Sequence, residues 1–134
     1  MDVKSFSISG PLCFTPKKFW DERGYFMETF KASVFEANAG NVKFVQGNQS
    51  VSAKKGTVRG LHYQSPPHAQ GKLVRCLRGA ILDVAVDVRA DSNTFGQHIT
   101  VELTQENTKQ LWLPAGFLHG FVTLEDDSEV AYQC

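Results

Sequence analysis

Hydrophobic positions along this chain recur mostly at every second residue. Over Ile81–Val88, the residues Leu82, Val84, Val86 and Val88 share one face and Ile81, Asp83, Ala85 and Asp87 the other, a strand alternation whose second face is unusually polar. Over Gln97–Leu103, Ile99, Val101 and Leu103 alternate with His98, Thr100 and Glu102, the pattern of a half-buried strand. The same reading predicts strands over Phe26–Phe30, Val42–Ser50, Val58–Gln64, Lys72–Arg78, Gln110–Leu113, Gly120–Leu124 and Glu129–Gln133. Turn formers separate them at Lys55-Gly56, Ser65-Pro66-Pro67, Arg78-Gly79, Phe95-Gly96 and Pro114-Ala115-Gly116. One short helix is predicted over Ala32–Ala39, closed by Gly40. Many short strands at this spacing predict an all-β fold, a jelly-roll β-sandwich with one short helix. No repeat, low-complexity tract or linker-like shift in composition interrupts the pattern, so residues 1–134 are expected to form one domain.

Charge narrows the partners. The 134 residues carry 14 Lys and Arg against 14 Asp and Glu, a formal net charge of zero. No strong positive field therefore draws the chain to nucleic acid or to an anionic membrane, and an anionic ligand has to be held by locally placed cations. A composition 42% hydrophobic and 21% charged is that of a globular protein, and a domain of this length folds without disulfides or a structural metal. The cysteines, Cys13, Cys76 and Cys134, are odd in number and widely separated, which reads as reduced thiols of a cytosolic protein. No apolar run approaches a signal peptide or the roughly 18 residues of a membrane span, so a cytoplasmic location is expected.

Residues that could carry chemistry gather where strands meet turns. Period two puts Gly60, His62 and Gln64 on one strand face, leaving room around an imidazole whose unperturbed pKa of about 6.5 suits a general base. A histidine that closes a barrel layer through hydrogen bonds is the equal alternative. Lys72 opens an apolar strand, where an inward ammonium needs a negative charge, such as a developing enolate oxygen; an edge lysine in water is the alternative. Arg23 and Arg59 can fork onto a phosphate or carboxylate, or form surface ion pairs. Glu28, Gln46 and Asn48 offer polar contacts. His119, in a rigid turn before an apolar strand, can orient a base, bind substrate or ligate a metal. With no H-x-H pair anywhere, no metal site is expected. His68 and His98 read as solvent residues. Tyr132, protonated at neutral pH, can donate a proton opposite a base or simply pack the sandwich rim. No G-x-G-x-x-G, P-loop or G-x-S-x-G is present, which removes support for hydride transfer, nucleotide hydrolysis and serine-esterase chemistry.

Five linked segments carry a resemblance: Arg59-Gly60-Leu61-His62-Tyr63-Gln64, Gln70-Gly71-Lys72-Leu73-Val74, Asp83-Val84-Ala85-Val86-Asp87-Val88-Arg89, Ser92-Asn93-Thr94-Phe95-Gly96 and Pro114-Ala115-Gly116-Phe117-Leu118-His119-Gly120-Phe121. In order and spacing they resemble the dTDP-4-dehydrorhamnose 3,5-epimerase family, from about Phe14 to Cys134. The resemblance implies a cupin-like jelly roll, a homodimer, and cofactor-independent epimerisation of dTDP-4-dehydro-6-deoxy-D-glucose in dTDP-L-rhamnose biosynthesis. It implies His62 as general base, Lys72 as the cation on the enolate oxygen and Tyr132 as the acid. Arg23, Glu28, Gln46, Asn48, Arg59 and His119 become nucleotide-sugar contacts. Family members continue beyond the position of Cys134 with a segment that supplies a carboxylate to the base, so this chain is expected to be truncated, with Asp83 as the in-chain carboxylate that orients His62. A related ketoisomerase, a single-site epimerase and a non-catalytic nucleotide-sugar-binding module are the alternatives.

Overall fold

The computed structural model describes residues 1–134. The chain runs β1 (Asp2–Ser5), β2 (Leu12–Thr15), β3 (Lys18–Asp21), β4 (Gly24–Met27), α1 (Ala32–Ala39), β5 (Gly47–Ser52), β6 (Val58–His62), β7 (Lys72–Arg78), β8 (Ala80–Asp87), β9 (His98–Thr104), β10 (Gln110–Leu113), β11 (Phe117–Thr123) and β12 (Ser128–Gln133). A six-stranded sheet in the order β1-β2-β10-β7-β12-β5 faces a four-stranded sheet in the order β6-β11-β8-β9, and β3 and β4 form a separate hairpin. Every pairing is antiparallel. The architecture is the expected all-β jelly-roll sandwich with one short helix. No helix is long and apolar enough to cross a membrane.

Alternation places the core. Val74, Cys76, Leu111, Leu113 and Val130 of the larger sheet meet Ile81, Ala85, Ile99, Val101, Leu103, Phe117 and Phe121 of the smaller one between the layers. On the outer face of the larger sheet, α1 buries Phe35 against Phe14, Leu73 and Trp112, with the Phe35 and Trp112 rings edge to face at 5.0 Å. The helix stops where Gly40, at φ 86°, returns its N–H to the Glu36 carbonyl at 3.0 Å.

The strand expectations need four adjustments. Strands β1, β2 and β3, four residues each, are too short to declare a period in sequence. The strand expected at Phe26–Phe30 begins and ends earlier as β4, and its hairpin with β3 leaves Phe19, Trp20, Tyr25 and Phe26 exposed. The strand expected from Val42 starts only at Gly47, because Val42 and Phe44 pack onto the Phe14–Trp112 cluster instead of pairing. Strand β11 begins at Phe117, three residues before the predicted start.

On β8 the face that carries the carboxylates turns inward. Ile81, Asp83, Ala85 and Asp87 are fully buried, whereas Leu82, Val84 and Val86 are only half-buried on the outer side. Asp87 is tolerated there because it is saturated. It accepts hydrogen bonds from the Arg89 side chain at 3.0 and 2.9 Å, the Arg89 amide at 3.0 Å, and the Ser92 and Thr94 hydroxyls at 2.6 Å each. These donors hold its pKa well below the usual carboxylate range, Arg89 foremost. All three cysteines are buried and unpaired; burial pushes the Cys13 thiol up and that of Cys76 up to about 11.

Candidate active site

Two glycines set the geometry of the β6–β11 edge. A Cβ on Gly60 would stand 2.7 Å from the His119 carbonyl oxygen and 2.8 Å from the Gly120 Cα, and one on Gly120 would stand 2.6 Å from the Arg59 carbonyl oxygen. Only glycine at both positions allows this approach, and Gly60 also holds φ +103°. The pairing is irregular between His119 and Phe121, and His62 comes to lie directly opposite His119.

His62 and His119 line one cleft with Lys72, Gln70, Pro114 and Phe117. His62 is exposed at the mouth and His119 is buried behind it. The enclosed part is small, about 10 Å³, so any ligand that meets His62 does so at an open mouth. Tyr132 stands on β12 opposite Val74 of β7, the strand that Lys72 begins, and the Lys72 ammonium lies 5.5 Å from its ring centre. Lys72 therefore belongs to the histidine cleft and to the phenol at once.

Asp83 is the carboxylate buried behind this cleft. Its Oδ2 is 2.9 Å from His119 Nε2, and its Oδ1 is buried without any hydrogen-bond partner. Burial pushes its pKa up, against the opposing pull of His119 and of the Lys72 charge. The expectation that Asp83 orients His62 is corrected here. Strand β11 lies between β6 and β8, and His119 is the diagonal neighbour of Asp83 across the β8–β11 pair, so the carboxylate is taken by the nearer imidazole.

The remaining candidates divide into two groups. Asn48 pairs in register with Tyr132; Gln46 donates its amide to Asn48 Oδ1 at 3.0 Å, and the Asn48 amide points to the Cys134 sulfur at 3.8 Å. Arg59, on β6 with His62, donates Nε–H to the Ser52 hydroxyl at 3.0 Å and Nη2–H to the Val51 carbonyl at 3.2 Å. Arg23 and Glu28 do not join them. Arg23 sits at the β3–β4 turn, paired with Asp21 at 2.6 Å in solvent, and neither residue lines the cleft. His68 and His98 are exposed, as expected. The sequence reading missed the Asp83–His119 bond and the Gly60–Gly120 contact. The polar alternation of β8 and the glycines flanking both histidines were their visible traces.

A jelly roll whose open cleft assembles two imidazoles and an ammonium, with a phenol next to that ammonium and one carboxylate buried behind, is equipped for proton transfer. Comparison with known proteins gives that class its chemistry. A family profile described as dTDP-4-dehydrorhamnose 3,5-epimerase matches residues 5–134. The dTDP-4-dehydrorhamnose 3,5-epimerase of Sinorhizobium fredii is 54% identical over 133 residues, covering 99% of this chain and 68% of the relative. A crystal structure from Legionella pneumophila, in complex with dTDP-4-keto-L-rhamnose, is 46% identical with a TM-score of 0.94, covering 99% of this chain and 70% of that one. ChmJ, a 3'-monoepimerase from Streptomyces bikiniensis in complex with dTDP-quinovose, is 38% identical with a TM-score of 0.90, covering 96% and 65%. The chain belongs to the dTDP-4-dehydrorhamnose 3,5-epimerase family, and its jelly roll is of the cupin-like kind.

Proposed function

We propose that this chain inverts C3 and C5 of dTDP-4-dehydro-6-deoxy-D-glucose to give dTDP-4-dehydro-L-rhamnose, the epimerisation step of dTDP-L-rhamnose biosynthesis in the cytoplasm. The C4 ketone of the substrate acidifies the protons on both neighbouring carbons, so the substrate is its own electron sink. His62 takes the proton from C3 and, in a second round, from C5. The electron pair moves onto the C4 oxygen as an enolate, which the Lys72 ammonium stabilises. Tyr132 returns a proton to the carbon from the opposite face, and solvent resets the two groups. Arg59, Gln46 and Asn48 contact the nucleotide sugar beside this centre, and His119, held by Asp83, contacts the sugar.

The observation that carries this reading is the sharing of Lys72. It lines the cleft of His62 and stands 5.5 Å from the Tyr132 ring centre, which supports base, oxyanion cation and acid acting on one sugar ring. The homodimer belongs to the same reading: the exposed hairpin that carries Arg23, and Glu28 just beyond it, reach the cleft of a second copy, not their own.

In deuterated water the intact protein is expected to place deuterium at both C3 and C5 of the keto sugar, followed by NMR, and His62→Ala to slow this by about 10² to 10⁴. No exchange with the parent protein ends the reading. The likeness to a 3'-monoepimerase favours one alternative, a single-site epimerase, which deuterium at C3 alone would select.

A further inference from the structure

The sequence has five arginines, and four of them are spoken for. Arg23 pairs with Asp21, Arg59 binds Ser52 and the Val51 carbonyl, Arg78 binds the Asp127 carbonyl beside Glu129, and Arg89 binds Asp87 and the Ser9 carbonyl. The Arg75 side chain alone makes no hydrogen bond and no ion pair, although the residue is half-buried. A guanidinium cannot shed its charge, so concave surroundings with no carboxylate leave five N–H donors for something else.

Those surroundings are built by the sheet. Arg75 lies in a cross-strand row that runs Gln49, Ala131, Arg75, Gln110 over β5, β12, β7 and β10. The neighbouring row runs Gly47, Gln133, Leu73, Trp112. The small residues Ala131 and Gly47 leave a depression, and Thr29 and Phe30 raise a wall beside it, enclosing about 300 Å³. Leu73 and Trp112 of these rows pack under α1, and the alternate residues Val74 and Val130 face the sandwich interior, so the depression opens on the side of the sheet away from the His62 cleft. Gln110 is itself buried and fixed by donating to the Thr29 carbonyl at 2.7 Å. The guanidinium therefore rises from a rigid, polar floor with an aromatic ring at one side.

We infer that this depression is a second binding site, for the oxyanion of a small molecule, a phosphoryl or carboxylate group forked by Arg75, with the rest of the ligand against Phe30. It opens on the other side of the strands that carry Asn48 and Tyr132, both of which also line it, and does not rest on the epimerisation reading. Fork geometry favours a planar or tetrahedral oxyanion over a lone halide, and the Gln133 amide at the rim suits a hydroxyl group carried by such a molecule, the Gln49 amide being held by Glu129.

The test follows the Arg75 Nε–H resonance by NMR while inorganic phosphate, and separately acetate, is added to the full chain at constant ionic strength. The resonance is assigned by its loss in Arg75→Lys. A saturable shift at Arg75 with either anion is expected, phosphate alone marking a phosphoryl ligand and acetate alone a carboxylate. Arg75→Met, or Arg75→Lys should the first not fold, is expected to weaken that anion's binding at least tenfold by calorimetry without changing dTDP binding. A shift that never saturates, or equal shifts at all five arginines, overturns the inference. So does an Arg75→Lys chain of altered mass in solution when the parent ignores both anions, since the guanidinium is then satisfied by another copy.

Discussion

Two aspartates on β8, Asp83 and Asp87, share one inward face four residues apart, and both are fully buried. At Asp87 each oxygen is occupied by Arg89, Ser92 or Thr94, and the charge is stabilised. At Asp83 one oxygen holds His119, the other holds nothing, and burial disfavours the charge. The same residue type in the same strand thus serves two ends. A fully satisfied buried carboxylate ties down the loop that follows it. A half-satisfied one keeps a free-energy cost that only a functional partner explains.

Substitution separates the two roles. Asp87→Asn removes a buried charge from a half-buried guanidinium and two hydroxyls, and urea unfolding is expected to show a loss of about 3 kcal/mol. Asp83→Asn keeps an oxygen for His119 and removes a poorly compensated charge, so stability is expected to stay level or rise. Its deuterium exchange into the sugar is expected to fall by about 10- to 100-fold, the usual cost of losing the group that orients a functional imidazole. Equal destabilisation by both changes would erase the distinction and make Asp83 a second structural anchor.

Acidity sharpens the contrast because the two shifts have opposite sign. The folded state binds the Asp87 proton more weakly than the unfolded chain does. Its stabilisation is full above about pH 4 and is lost as pH falls from there toward the depressed value. Asp83 binds its proton more tightly when folded, so its ionisation works against the fold as pH rises through and beyond the ordinary carboxylate range. The urea midpoint of Asp87→Asn is therefore expected to lie far below the parent at neutral pH, the gap narrowing only as pH falls from about 4 toward the depressed value. That of Asp83→Asn is expected to lose whatever advantage it has earlier, as pH falls from neutral to about 4. Parallel curves for the two variants would contradict both assignments.

This difference also marks how much of the molecule was legible beforehand. Strands β7 and β10 and helix α1 have the boundaries their periodicity predicts, since each buries one face against its neighbours. His62, Lys72 and Tyr132 were singled out by chemistry and motif, and their placement around one cation depends on strand neighbours far apart in sequence. The partner of Asp83 was not legible. Alternation told which face of β8 is polar, but only the order β6-β11-β8 tells which histidine the carboxylate meets first. Arg23 stands apart from the cleft of its own chain for a related reason: nothing in a sequence says that a hairpin leaves both sheets.

The smallest expected effect comes from a pair that copies the Asp87 motif outside the core. Asp21 and Arg23 have the same Asp-x-Arg spacing as Asp87 and Arg89, and a shorter contact, 2.6 against 2.9 Å. Distance alone would rank the hairpin pair first. Arg23 is 85% exposed and Asp21 49%, however, whereas Arg89 is 33% exposed and the Asp87 side chain exposes nothing, so water and salt already satisfy the first pair and reach the second only from its arginine side. Asp21→Asn is expected to leave the urea midpoint unchanged, while freeing a guanidinium that the proposed homodimer aims at a diphosphate. Substrate KM should then fall or hold with kcat steady. A midpoint drop comparable to that of Asp87→Asn would show that geometry, and not burial, separates structural from idle carboxylates in this fold.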